Sequence, residues 1–481
     1  VYTRYVYDET GNRIKTIDER GFETTYEYDS MNRLISSADP MGGVWSYTYD
    51  LAGNMLSETN PKGDTISYAY DKLNRIETVT DPYGVIITRN SYDANGNILE
   101  TKDSKGCATT YAYDLANRLI MVTDPEAADK GSYTEKIEYN QYGEKVKVTD
   151  ALGNETAYAY DAAGRLIVVT DALGTDTQYG YDKAGNKLYT VDGRGKTTSY
   201  SCGAFGVLRS MTDAEGMSMI YAYDLAGNTE AVTDRNGNIT IYTYDNRNRL
   251  TEKICASTGD RIGYSYDSAG NRTGMTDDSG STVYTYDGNN RLTRVEKDGA
   301  LQVAYGYDAV GNVTSVTDSK GNTTSYTYDK SSRMKTVSFG GKTVTYAYDT
   351  NGNRTSVTYD GGVKEEYTFD KNNRLLTLVN TGPDGREISR YSYTYDLAGR
   401  QTSKTDSYGT STYTYDAAGR VIKAETPGKT TIYAYDAAGN RISASETYAS
   451  AQSTGFTDEV SGIGAEYILK KSQYAYSASL A

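Results

Sequence analysis

The side chains able to do chemistry here are carboxylates and phenols: 64 acidic residues and 50 tyrosines, with no histidine in 481 residues. Asp-x-x-Gly tetrads stand at Asp8–Gly11, Asp50–Gly53, Asp161–Gly164, Asp171–Gly174, Asp224–Gly227 and Asp416–Gly419. Tyr-x-Tyr pairs lead into several of them, at Tyr158 and Tyr160, Tyr221 and Tyr223, and Tyr413 and Tyr415. Three chemistries come into question. Calcium takes about six to eight oxygens, and one such turn offers about one carboxylate, so capping of the turn's own backbone is the expected role. Glycoside hydrolysis needs two carboxylates about 5 to 10 Å apart in a cleft, a distance that some pair among so many acids meets by chance. A row of tyrosine faces beside Asp and Asn suits stacking on sugar rings, but packing of the sheet is the favoured reading of the same rings, with stacking as the alternative. The missing histidine removes imidazole acid–base chemistry, Ser-His and Cys-His nucleophiles and imidazole metal sites. There is no phosphate-cradling Gly-rich loop, no Gly-x-Ser-x-Gly elbow and no Cys-x-x-Cys. The chain reads as non-enzymatic, with no cofactor and no metal.

What must position these residues is a repeat. Tyr-Asp returns about every 21 residues, from Tyr7-Asp8 to Tyr435-Asp436, in 21 copies of which 18 are intact; Tyr139-Asn140, Cys202-Gly203 and Phe369-Asp370 are the exceptions. A fixed period means an array of one small unit. The copy from Thr156 holds two β-type runs, Thr156 to Tyr160 and Leu166 to Thr170, each followed by Asp-x-x-Gly, which predicts two strands and two turns per copy. Three residues after the pair, the copies carry Gly fourteen times, Asn six times (Asn32, Asn74, Asn117, Asn248, Asn290, Asn373) and Ser once, at Ser332. Gly and Asn tolerate a left-handed backbone, so this exchange predicts a positive φ closing a hairpin with a G1 bulge.

Along the strands the two tyrosines of Tyr-x-Tyr share a face and predict a ladder across neighbouring hairpins. On the return strand Leu166 and Val168 alternate with Ile167 and Val169, so either both faces are partly covered or a bulge switches the facing. Arginines after the turn, such as Arg33, Arg75 and Arg165, are within reach of the turn Asp. An exposed pair of this kind contributes about 0 to 1 kcal/mol, and they read as solubility and edge features. About 42 strands at ~4.8 Å would make a sheet roughly 200 Å long, which must curl. The expected fold is all-β: a long antiparallel sheet of about 21 consecutive hairpins coiling into a spiral or partial hollow shell, with a stack of separate hairpins as the alternative. Two insertions, Pro125 to Ile137 and Leu378 to Arg390, are expected to project as loops.

The expected organisation is an array over 1–446 and a degenerate repeat or truncated tail over 447–481, where Phe456-Thr457-Asp458 and Tyr474-Ala475-Tyr476 look like worn remnants. The chain opens at Val1 inside a repeat and is expected to be a fragment or processed piece. A net charge of −14 and a pI of about 4.8 repel phosphate backbones and anionic bilayers, so neither nucleic acid nor membrane insertion is expected. Cys107, Cys202 and Cys255 lie in three different repeats and form neither a disulfide framework nor a metal cluster; Cys202, in the place of a pair tyrosine, reads as a small buried filler.

The runs Tyr158 to Leu166, Tyr413 to Val421 and Tyr433 to Ile442 resemble the YD repeats of bacterial Rhs proteins, wall-associated polymorphic toxins, the B/C components of ABC toxins and animal teneurins. The resemblance covers about residues 1 to 446. It implies a spiral of β-hairpins forming a hollow cocoon, which in the bacterial relatives holds a C-terminal toxic domain. Repeats of this family have also been linked with carbohydrate binding at cell surfaces. The family's Asp-Pro self-cleavage segment has no counterpart after Ala444. The resulting expectation is a secreted or cell-surface scaffold enclosing or presenting a toxin or effector domain, with a glycan-binding adhesion module as the alternative.

Overall fold

The computed structural model of the chain describes residues 2–448. It holds 42 strands in one sheet, and each strand pairs antiparallel with its neighbours in sequence, from Arg4–Tyr7 against Arg13–Ile17 to Lys429–Tyr435 against Arg441–Tyr448. The expected 21 hairpins are present as one lateral sheet and not as separate ribbons. The last strand stays paired to its end, Lys429 facing Tyr448, so pairing runs past Ala444. The expected tail lies almost wholly outside the described residues, as do the two remnants.

One hairpin shows the construction. Glu155–Tyr160 pairs with Leu166–Thr170 through Tyr158 opposite Val169 and Ala159 opposite Val168, but Tyr160 stands opposite Leu166. Ile167 is therefore an extra residue, and this bulge settles the ambiguous return strand by switching its facing. Thr156, Tyr158 and Tyr160 are half-buried while Ala157 and Ala159 are exposed, so one face carries the rings and the other small residues. Among the described residues the only buried apolar side chains are Ala127, Ile137, Ala151 and Val357. Among the described residues the wall is a single sheet without a second layer packed on it. Its cohesion comes from backbone ladders and side-chain contacts between neighbouring hairpins.

The sheet coils, and successive coils meet edge to edge. Hydrogen bonds join residues 242 to 268 apart, all but one of them 242 to 250: Asn289 Nδ2 donates to Asp39 Oδ2 at 2.9 Å, the Ser104 N–H to Asn351 Oδ1 at 3.1 Å, and Ser268 Oγ to the Glu19 carbonyl at 2.8 Å. At about 21 residues per hairpin that offset is about 12 hairpins, or about 24 strands, a perimeter of about 115 Å.

Both insertions depart from expectation. Pro125–Asp129 is a short helix capped by Asp124, whose carboxylate accepts the Ala127 N–H, and Ile137 lies in the strand Glu135–Tyr139. Helix residue Ala127 is fully buried, and Lys371 Nζ donates to Asp129 Oδ2 at 2.6 Å across the seam, so the segment fills the junction between coils. The second insertion lengthens a hairpin, Leu375–Thr381 against Glu387–Tyr395, because its β-branched and alternating residues continue the ladder.

Candidate functional site: the stapled turns and the coil seam

Each Tyr-Asp turn is built by its aspartate. At Asp161 the Asp N–H donates to the Arg165 carbonyl at 2.9 Å and the Gly164 N–H to the Asp161 carbonyl at 3.0 Å. Asp161 Oδ1 accepts the N–H groups of Ala163 and Arg165, and Gly164 sits at φ 75°. Asp8, Asp50, Asp224 and Asp416 accept the N–H four residues on in the same way, with Gly11, Gly53, Gly227 and Gly419 at positive φ. Asp171 does so in the other turn of its copy, accepting from Leu173 and Thr175, with Gly174 at φ 77°. All six Asn residues and Ser332 at the Gly position adopt φ between 56° and 61°. The left-handed turn residue was thus legible.

The arginines are more than solubility features, contrary to the sequence reading. Arg165 Nε and Nη2 hold Asp161 Oδ2 at 2.7 and 2.6 Å, Nη1 donates to the Asp182 carbonyl of the next hairpin at 2.8 Å, and the guanidinium lies 5.0 Å from the Tyr181 ring centroid. The Tyr181 hydroxyl donates back to the Leu166 carbonyl at 3.0 Å. Arg33, Arg75, Arg118, Arg249, Arg291, Arg333, Arg374, Arg400 and Arg420 repeat the carbonyl bond to the next hairpin. Each arginine therefore ties its own turn, the next turn's backbone and the next hairpin's ring together. The fork geometry suits this triple use, which an isolated surface pair does not achieve.

Where Asn replaces that arginine and the next hairpin carries Asn or Ser at its turn glycine position, a second staple appears. Asn54 Nδ2 donates to Asp50 Oδ2 at 2.8 Å and to Asn74 Oδ1 of the next hairpin at 2.9 Å. Asn12, Asn97, Asn228, Asn271, Asn312 and Asn353 make the same bridge to Asn32, Asn117, Asn248, Asn290, Ser332 and Asn373. So each of the seven non-glycine turn residues accepts a bond from the preceding hairpin. The signal was available as a pairing between adjacent copies.

Of the tyrosines singled out from sequence, Tyr160, Tyr223 and Tyr415 donate their hydroxyls to the carbonyls of Lys145, Leu208 and Gln401 in the preceding hairpin. Tyr158, Tyr221 and Tyr413 are half-buried on the same face, and the Tyr221 hydroxyl contacts Met219 Sδ at 3.9 Å. Cys202 is half-buried and not a buried filler, because it faces Leu208 beside an irregular turn in which Phe205 takes φ 61°.

These bonds shift titrations. The hydrogen bond from Arg165 holds Asp161 below its ordinary value, Arg75 and Arg118 do so for Asp71 and Asp114, and Arg249 brings Asp245 down to about 2. Burial raises Tyr160, Tyr307, Tyr348 and Tyr395. For the aspartates the folded pKa lies below the unfolded one, so their stabilisation is complete above about pH 4 and is lost as pH falls through the folded values. For the tyrosines it is complete below about pH 10 and is lost above it. Near-ultraviolet circular dichroism should therefore be flat from about pH 5 to 9, with acid unfolding between about pH 4 and 2 and an alkaline transition above about 10.

Among known families, the teneurin YD-shell model matches residues 58–190, 184–323 and 312–452, and the RHS repeat model matches 7–40 and 32–65. The chain belongs to the teneurin YD-shell family. No curated protein matches this YD-shell chain in sequence. Among solved structures it is similar to TcdB2-TccC3, at 14% identity and TM-score 0.60, over 94% of this chain and 33% of that one. It is also similar to TcdB2-TccC3 without its hypervariable C-terminal region, at 15% identity and TM-score 0.58, over 92% of this chain and 30% of that one. A third, TcdB2-TccC3-Cdc42, aligns at 13% identity and TM-score 0.52, over 92% and 32%. The YD-shell chain thus spans about a third of the length of these structures, and at such identity the likeness is one of fold. No helix among the described residues is long and apolar enough to cross a membrane.

Proposed function

We propose that this YD-repeat array is a non-enzymatic wall, part of a shell that encloses or presents a C-terminal toxin or effector domain of a secreted or cell-surface protein. The observation that carries the reading is continuity. Every strand is paired with its sequence neighbours and the coil edges are closed by hydrogen bonds, so a polypeptide on one side is separated from the solvent on the other. The fold is shared with TcdB2-TccC3 without its hypervariable C-terminal region, which supports a role beside such a region. The glycan alternative gains no support, because the hydroxyls of Tyr160, Tyr223 and Tyr415 are spent on the neighbouring hairpin's backbone.

The test is protease protection. The array is expressed with a passenger domain fused to its C-terminus, and digestion of the passenger is compared with that of the passenger alone. The wall predicts at least about tenfold slower digestion; equal rates would remove the enclosing role.

A further inference from the structure

Along the seam, the turns that close the second half of each early repeat rest on Tyr-Asp turns of the next coil. Four of those Tyr-Asp turns are followed by Asn: Asp267 by Asn271, Asp308 by Asn312, Asp349 by Asn353 and Asp436 by Asn440. Each of these carboxylates meets a cation from the other coil. Arg20 lies 3.8 Å from Asp267, Lys62 3.5 Å from Asp308, Lys105 2.6 Å from Asp349 and Arg194 3.3 Å from Asp436.

Five others carry Arg in that place, and none of their carboxylates pairs with a cation across the seam among the described residues, although Arg20 Nη2 also donates to the Gly288 carbonyl in the turn of Asp287 at 3.2 Å. Asp287, paired with its own Arg291, belongs to the turn whose Asn289 donates to Asp39. The turn of Asp329 and Arg333 meets the Tyr83 ring. The turn of Asp370 and Arg374 meets the acidic helix, with Glu126 4.0 Å from Arg374 and Asp129 2.6 Å from Lys371. At the seam's offset, the turns of Asp396–Arg400 and Asp416–Arg420 face Asp150-Ala151-Leu152 and Asp171-Ala172-Leu173, which hold no cation.

We infer that the residue four places after each turn aspartate is a docking code: Arg neutralises the carboxylate within its own coil, Asn leaves it for a Lys or Arg of the facing coil, and the alternation fixes the register of the spiral. A slip of one hairpin in either direction would bring Lys62 and Lys105 against carboxylates that already hold an arginine. Single exposed ion pairs contribute little, but like charges brought together at successive turns penalise every wrong register. The open rim of the first coil follows the same alternation, with Asn12, Asn54, Asn97, Asn186 and Asn228 leaving Asp8, Asp50, Asp93, Asp182 and Asp224 without a cation partner among the described residues. An edge that covers this rim should carry Lys or Arg opposite those five turns.

A double-mutant cycle tests the code, read by hydrogen exchange at the Ser104 N–H, which donates across the seam, and corrected for intrinsic rates. Lys105→Ala should speed exchange about threefold, and Asn353→Arg should do at least as much by placing two cations together. The pair K105A/N353R should return to within about 1.5-fold of the parent, and Asn186→Arg on the open rim, where Asn186 bonds only its own Asp182, should leave the rate unchanged. An additive double variant, or an Asn186→Arg effect equal to that of Asn353→Arg, would overturn the code.

Discussion

Replacing Arg291 by Ala should open the hairpins on either side of it, raising exchange of the amides between Asp287 and Asn312 by about thirtyfold or more. Arg291 holds Asp287 Oδ2 at 2.7 Å, donates to the Asp308 carbonyl at 3.1 Å and lies 4.7 Å from the Tyr307 ring centroid. Two charge-assisted bonds and one ring contact, discounted for partial exposure, give about 2 to 3 kcal/mol. Arg291→Lys keeps the charge but not the fork, so it should recover less than half of the loss. The effect should stay local, because an array of stacked units opens unit by unit. An exchange increase spread evenly over all 42 strands would show that the staple is not a nearest-neighbour device.

The second large effect should come from Gly193→Leu. A Cβ at Gly193 would lie 2.3 Å from the Ala437 carbonyl oxygen and 2.9 Å from its carbon, both backbone atoms of the next coil. Backbone cannot yield as a flexible side chain does, so the seam must part there. Overpacking of this kind costs about 1 to 3 kcal/mol. Gly193 does not need a left-handed backbone, which separates this effect from turn strain. Trypsin should then cut at Arg194, whose guanidinium is otherwise held by Asp192 and Asp436, at least about tenfold faster than in the parent. Gly263→Ala, with the nearest atom to its added Cβ 4.0 Å away, should change nothing.

What could be read in advance divides along a physical line. The Asn32, Asn74 and Ser332 substitutions at a glycine position spoke of backbone conformation, which is local, and their φ values agree. The tyrosine face followed from alternation, also local. Arg165 was misjudged because a pair with Asp161 looks like any surface salt bridge until the next hairpin supplies a carbonyl and a ring. The seam partners of Arg20, Lys62 and Lys105 lie some 245 residues away, an offset set by accumulated twist and bulges and not by any residue in the repeat. The Leu378 to Arg390 segment reads as a loop from its length alone, although Leu378, Val379 and Thr381 before the Gly382–Gly385 turn and Tyr391 after it are strand formers able to extend a ladder.

The closed spiral is tested most directly by zero-length carbodiimide cross-linking of the monomer, followed by peptide mass spectrometry. The account predicts links between Lys105 and Asp349 and between Lys371 and Asp129, whose charged atoms lie 2.6 Å apart, beside local links such as Lys15 to Glu23 at 2.7 Å. Local links alone, with none joining residues some 245 positions apart, would mean that the sheet does not close upon itself, and the wall would fall with it.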